Sequence, residues 1–129
     1  MIAVDTCVLV RWVLRDDPVQ AEIADAILAA PFYLGIGVLI ELNWVLSSVG
    51  GMSRTETARS LAILLALPTA IVQGEALVRW AVERFTTRGD LADLLHIANS
   101  ADADAFATFD VRISEQAGPN APVMIKTLR

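Results

Sequence analysis

The chain has 129 residues and is 55% apolar, which suits one domain of 1–129 with a single core and excludes a disordered polar chain. Its net charge of -5 argues against a broad basic nucleic-acid footprint, and the ten basic residues are nine arginines and one lysine, Lys126. One cysteine makes no internal disulfide, which suits a reducing cytosol.

Met1 runs directly into a strand-like pattern, without a basic leader or a small-residue cleavage site. The uncharged runs 26–40 and 60–74 fall short of the roughly 18 residues of a spanning helix, and Pro31 and Pro68 interrupt them. A cytoplasmic protein with no membrane segment is expected.

Residues 2–5 read as a short buried strand, and Thr6 as the cap of a helix over 7 to about 14. Asp17-Pro18 starts a helix, with Asp as N-cap and Pro at the first position, that ends near 30 before Pro31. A second strand is expected over 32–36. Gly37 is a break, and 38–49 reads as a helix with Leu39, Leu42, Val45, Leu46 and Val49 on one face. Gly50-Gly51 ends it, and Ser53-Arg54-Thr55-Glu56 is a capping box opening a helix to about 67. A short strand over 70–72, helices over 75–85 and 90 to about 100, and a strand over 105–109 follow. A helical turn, Pro122 and a last strand over 123–128 complete the chain. Apolar strands alternating with helices predict an α/β fold with a mostly parallel sheet.

Four acids interrupt apolar elements. Asp5 ends the first strand, Glu41 sits within GVLIELNWVL, Asp93 lies in the first turn of GDLADLLHIA, and Asp110 ends AFATFD. The other acids have ordinary places: Asp17 is a cap, Glu56 closes the capping box, Glu22 and Asp25 share a solvated helix face, and Asp102 and Asp104 lie in an Ala-rich turn. Ligands of open α/β sheets bind beyond the carboxyl ends of parallel strands, where Asp5 and Asp110 stand. Asp93, near a helix N-terminus, suits the same crevice, and Glu41 joins it if its helix starts there. Converging carboxylates repel and raise one another's pKa values unless a hard cation joins them, and Mg²⁺ or Mn²⁺ prefers such oxygen ligands. A metal in such a cage activates water and neutralises the charge that develops in phosphodiester hydrolysis. The plain alternative is that Asp5 and Asp110 cap the next helices while the other two pair with arginines.

Other motifs lead elsewhere or nowhere. Gly35-Ile36-Gly37 begins like a dinucleotide fingerprint, but Ile40 stands where the third small residue belongs. His96 is the only histidine, so neither a Ser-His-Asp relay nor a paired-His zinc site is available. It shares a helix face with Asp93 and orients that carboxylate or, more simply, is a satisfied buried or interface histidine. Cys7 reads as a small apolar filler. Trp12, Trp44 and Trp80 read as core, with one or two available for an interface.

Together, VDTCVLVRWVL, VLIELNWVL and RGDLADLLHIANSADADAFATFD resemble the PIN-domain family, and within it the VapC-type toxins of bacterial toxin–antitoxin pairs. The resemblance spans nearly the whole chain. It implies a three-layer α/β/α fold and a Mg²⁺- or Mn²⁺-dependent ribonuclease with Asp5, Glu41, Asp93 and Asp110 as the catalytic, metal-holding quartet. Asp90 matches a further acid that many members carry and is expected to act as an auxiliary ligand or to support one. Thr6 and Thr108 match hydroxyl positions near the metal. A helix cap and a β-branched strand residue are their plain readings. The chain departs from the family at Cys7, where an Asn is usual, and at Arg112, where many members carry another acid, so one metal is expected rather than two.

Arg11, Arg15, Arg88 and Arg112 are candidates to hold the RNA backbone, with solvated surface charge as the alternative for each. By resemblance the partners are an RNA substrate, a cognate antitoxin whose C-terminal segment covers the acidic pocket and an apolar groove, and a second copy in a homodimer. Two other classes compete. A PIN-like protein with little catalysis acts mainly by binding a partner. A receiver-type phospho-acceptor domain needs an acid at the end of a middle strand, and none lies between Glu41 and Glu56.

Overall fold

Polar residues just ahead of the apolar runs set most of the helix starts. In the computed structural model, which describes residues 1–129, the side chains of Asp5, Asp17, Ser53 and Asp90 each accept a backbone N–H at a helix N-terminus. The chain divides into two compact units, Met1–Glu75 and Ala76–Arg129.

The first unit contains β1 (Ile2–Ala3), α1 (Thr6–Leu14), α2 (Pro18–Leu28), β2 (Phe32–Leu34), α3 (Ile36–Ser48), α4 (Arg54–Ala66) and β3 (Ala70–Val72). Its three strands run parallel in the order β1-β2-β3, with Ile2 opposite Phe32 and Phe32 opposite Ala70. Helices make both crossovers, as parallel strands require. The central strand is the most buried, with Phe32 and Leu34 fully enclosed. Leu9 from α1, Leu39, Leu42 and Leu46 from α3, and Leu61 and Leu64 from α4 are buried as well. Each such side chain contributes about 1.5–3 kcal/mol of transfer free energy.

Several expectations are corrected here. The first strand is shorter than 2–5 and exposed, because β1 is an edge strand of this sheet, and Ile2 is 58% exposed. Asp5, not Thr6, caps α1: its Oδ1 accepts the Thr6 N–H at 2.7 Å, and Thr6 is buried as the first helical residue. The second strand ends at Leu34. Gly37 is no break, since α3 already begins at Ile36 after Gly35. Gly35 has no side chain to cap with, and Gln73, just past β3, instead accepts the Ile36 N–H on its Oε1 at 3.2 Å. Trp44 on α3 and Val49 at its C-cap stand exposed rather than in the core. The capping box of Ser53 and Glu56 forms with both bonds, as expected.

The second unit holds all but the first residue of α5 (Glu75–Thr87), together with α6 (Leu91–Ala98), β4 (Ala105–Thr108), α7 (Ile113–Ala117) and β5 (Met124–Thr127). β4 and β5 pair in parallel, with Ala105 opposite Met124 and Thr108 opposite Thr127. Ile97, Ile113, Ala117 and Val123 form a core cluster, and Trp80, Phe106 and Ile125 pack against it. The Arg84 guanidinium donates to the carbonyls of Gln116 (2.7 Å) and Glu115 (3.0 Å), tying α5 to the end of α7. No helix is long and apolar enough to cross a membrane.

Candidate active site

In the first unit, Asp5 leaves β1 and caps α1, so its carboxylate is fixed at the helix N-terminus, where the helix dipole favours negative charge. α1 packs against α3, and Glu41, exposed on α3, lines the same cavity of about 240 Å³ as Asp5, Thr6, Cys7 and Arg11. Cys7 is exposed rather than a buried filler, and its S–H donates to Asp5 Oδ2 at 3.7 Å. Arg11 reaches this cavity with its guanidinium engaged: Nε donates to Gln20 Oε1 at 2.6 Å, and one terminal nitrogen to both oxygens of Asp16 at 3.0 Å. Arg15 ends α1 in the left-handed region at φ 53°, and its fork grips Asp25 on α2 at 2.7 and 3.0 Å. An apolar groove of about 320 Å³ between α1 and α2, lined by Val8, Ile23, Ala24 and Ile27, shares Cys7 and Arg11 with the acidic cavity.

In the second unit, Asp90 caps α6 by accepting the Asp93 N–H at 3.1 Å. Asp93 is half-buried in the first turn. Burial pushes its carboxyl above the ordinary range, and the charges of Asp90 and Asp110 push the same way, against partial relief from His96 and Arg112. His96 itself is exposed, not a buried histidine. Asp110 follows β4, and its N–H donates to Thr108 Oγ1 at 3.0 Å, which gives the predicted hydroxyl a positioning role. The Asp110 carboxylate is engaged by one residue. Oδ1 accepts the Arg112 N–H at 2.9 Å and its Nε–H at 3.1 Å, and Oδ2 accepts a terminal nitrogen at 3.0 Å. That fork holds the Asp110 carboxyl below the usual carboxylate range and raises the guanidinium pKa further. Arg88 pairs with Glu115.

Of the plain alternative, the cap at Asp5 occurs, whereas Asp110 does not cap α7, whose N-cap is Arg112, and meets that arginine instead. All four arginines proposed for RNA contact pair with a carboxylate. The sequence reading missed the Asp110–Arg112 fork, although the two-residue spacing of opposite charges after a strand end was a visible signal.

Among protein-family models, that of the PIN domain matches residues 2–119. The chain belongs to the PIN domain family. No curated protein and no solved structure gives a significant match to it. PIN domains are in general nucleases that bind divalent metals, and the α/β architecture with parallel strands is that of this family.

The donors of this PIN domain suit such a metal in kind. Asp5 and Glu41 in one unit, and Asp93, Asp90 and Asp110 in the other, are hard oxygen ligands of the type that Mg²⁺ and Mn²⁺ prefer. The repulsion of an ionised Asp93 by Asp90 and Asp110 is the kind of electrostatic load that a divalent cation relieves. Neither unit gathers three His, Cys, Asp or Glu side chains closely enough to hold an ion.

Proposed function

We propose that this PIN domain is a Mg²⁺- or Mn²⁺-dependent endoribonuclease acting as the toxin of a VapBC-type toxin–antitoxin pair. The observation that carries the reading is the sharing of one cavity by Asp5 and Glu41 in a chain matched by the PIN family over residues 2–119. The repulsive field around Asp93 supports it. Asp5, Glu41, Asp93 and Asp110 are the proposed ligands, with Asp90 and Thr108 in support. When bound, the cation supplies activation of a water and neutralisation of charge developing at phosphorus. The chain's own share is positional: α1 fixes Asp5 through the Thr6 N–H, and Thr108 fixes the Asp110 backbone.

The antitoxin is proposed to lay an apolar segment in the groove between α1 and α2 and to present a basic residue to the Asp5–Glu41 cavity. The two spaces share Cys7 and Arg11, so one segment can fill both. A homodimer is proposed as the free state, and the exposed Trp44 on α3 and Val49 at its C-cap are apolar surface available for it.

Purified protein, stripped of co-purified partners, should cleave RNA when Mg²⁺ or Mn²⁺ is added and stop when EDTA is present. Asp5→Asn and Asp93→Asn should each lower cleavage at least about 100-fold with the fold intact. Undiminished cleavage in both variants would sink the assignment. Metal-independent binding of a partner, with no turnover of RNA, would leave the binding-protein reading instead.

A further inference from the structure

Arg112 is a basic residue bound to a proposed metal ligand. It engages both oxygens of Asp110, and its own backbone N–H adds a third bond to Oδ1. The Arg112 side chain is 74% exposed and that of Asp110 33%, so the arginine is the more solvent-facing partner of the pair. Arg112 also lies in the electrostatic neighbourhood of Asp93, where its charge opposes the repulsion from Asp90 and Asp110. A guanidinium fork and a divalent cation seek the same carboxylate lone pairs. An exposed ion pair closed over two residues is weak and breaks readily.

We infer that Arg112 is a tethered stand-in for the cation: it neutralises Asp110 while no metal is bound and must swing out for Asp110 to ligate one. The inference rests on the reading of Asp110 as a metal ligand. It makes Arg112 a positioning residue that sets how much metal the protein needs, and it gives the departure from an acid at this position a physical role. The swing breaks the two side-chain bonds of the fork. The backbone bond from the Arg112 N–H to Oδ1 does not require the guanidinium and can persist.

The test is a Mn²⁺ titration, by calorimetry and by the EPR signal of free Mn²⁺, of the full chain and its Arg112→Gln, Asp110→Asn and Lys126→Gln variants. Arg112→Gln should bind Mn²⁺ about 3–10-fold more tightly than the parent. Lys126 lies on β5 in register with Ala107, and its loss removes one positive charge near the end of β4 without touching the fork. Its affinity should change less than about twofold. Equal gains in Arg112→Gln and Lys126→Gln would overturn the inference, since net charge alone would then explain them. No gain in Arg112→Gln, with Asp110→Asn still weakening binding, would overturn it while leaving the metal-ligand reading standing. Undiminished Mn²⁺ affinity in Asp110→Asn would overturn both. A readout free of substitution is the Arg112 Nε–H resonance, which should move toward that of a solvated arginine on addition of Mg²⁺ and stay there until EDTA is added. An unmoved resonance at saturating Mg²⁺ counts against the inference.

Discussion

The two units solve the problem of placing acids in apolar surroundings differently. Around Asp5 and Glu41 the solution is geometric: a helix N-terminus takes up one carboxylate, the other stands exposed on the neighbouring helix, and the adjacent Arg11 is tied away by Gln20 and Asp16. Around Asp93 and Asp110 the solution is electrostatic, because Asp93 lies in the field of Asp90 and Asp110 and Arg112 is spent on Asp110. The first arrangement needs no counter-charge to be stable. The second is under load whenever Asp93 is ionised. Function and stability are therefore expected to part company in the second unit and to run together in the first.

Substitutions at Asp5 and Asp93 separate the two cases most sharply. Asp5→Ala removes both a proposed ligand and a helix cap, so it should lose cleavage and about 1 kcal/mol of stability, while Asp5→Asn, which can still cap, should lose cleavage alone. Asp93→Asn should lose cleavage yet raise the melting temperature by about 1–3 °C at pH 7. The sign follows from the raised folded value. Asp93 favours the fold at low pH and that contribution is lost as pH rises through the raised value, so the gain should fade in acid. Thermal melts of the three variants at pH 7 and in acid check this, and a destabilised Asp93→Asn at neutral pH would contradict it.

A smaller effect is expected at Thr108. Thr108→Val deprives the part-buried Asp110 N–H of its acceptor, which should cost about 1 kcal/mol in denaturant unfolding and weaken cleavage less than loss of a ligand does. Asp110 itself has the opposite pH sign to Asp93. Its lowered folded value gives stability that is present above the unfolded value of about 4 and lost as pH falls through the folded one. Arg112→Gln should remove that contribution, so the stability difference from the parent should close in strong acid. The smallest change is expected for Cys7→Asn. The thiol is exposed and makes only a long contact to Asp5, so stability should stay within about 0.5 kcal/mol, with cleavage retained.

The sequence by itself determined the alternation of elements, the α/β class and most helix starts, because caps and prolines act through their immediate neighbours. Asp17-Pro18 and the Ser53–Glu56 box need nothing from elsewhere in the chain. It also singled out the four acids, since a charge that interrupts an apolar run is visible without coordinates. What depends on distant residues was not legible. Gln73 caps α3 across 37 residues, β1 is exposed because its sheet ends there, and Trp44 faces outward because α3 buries a different stripe. Charge pairing was the other gap. The order of residues shows which charges exist, but whether Asp110 meets a metal, an acid or Arg112 is settled by where the turn after β4 points the guanidinium, and a few ångströms there decide the sign of the local field.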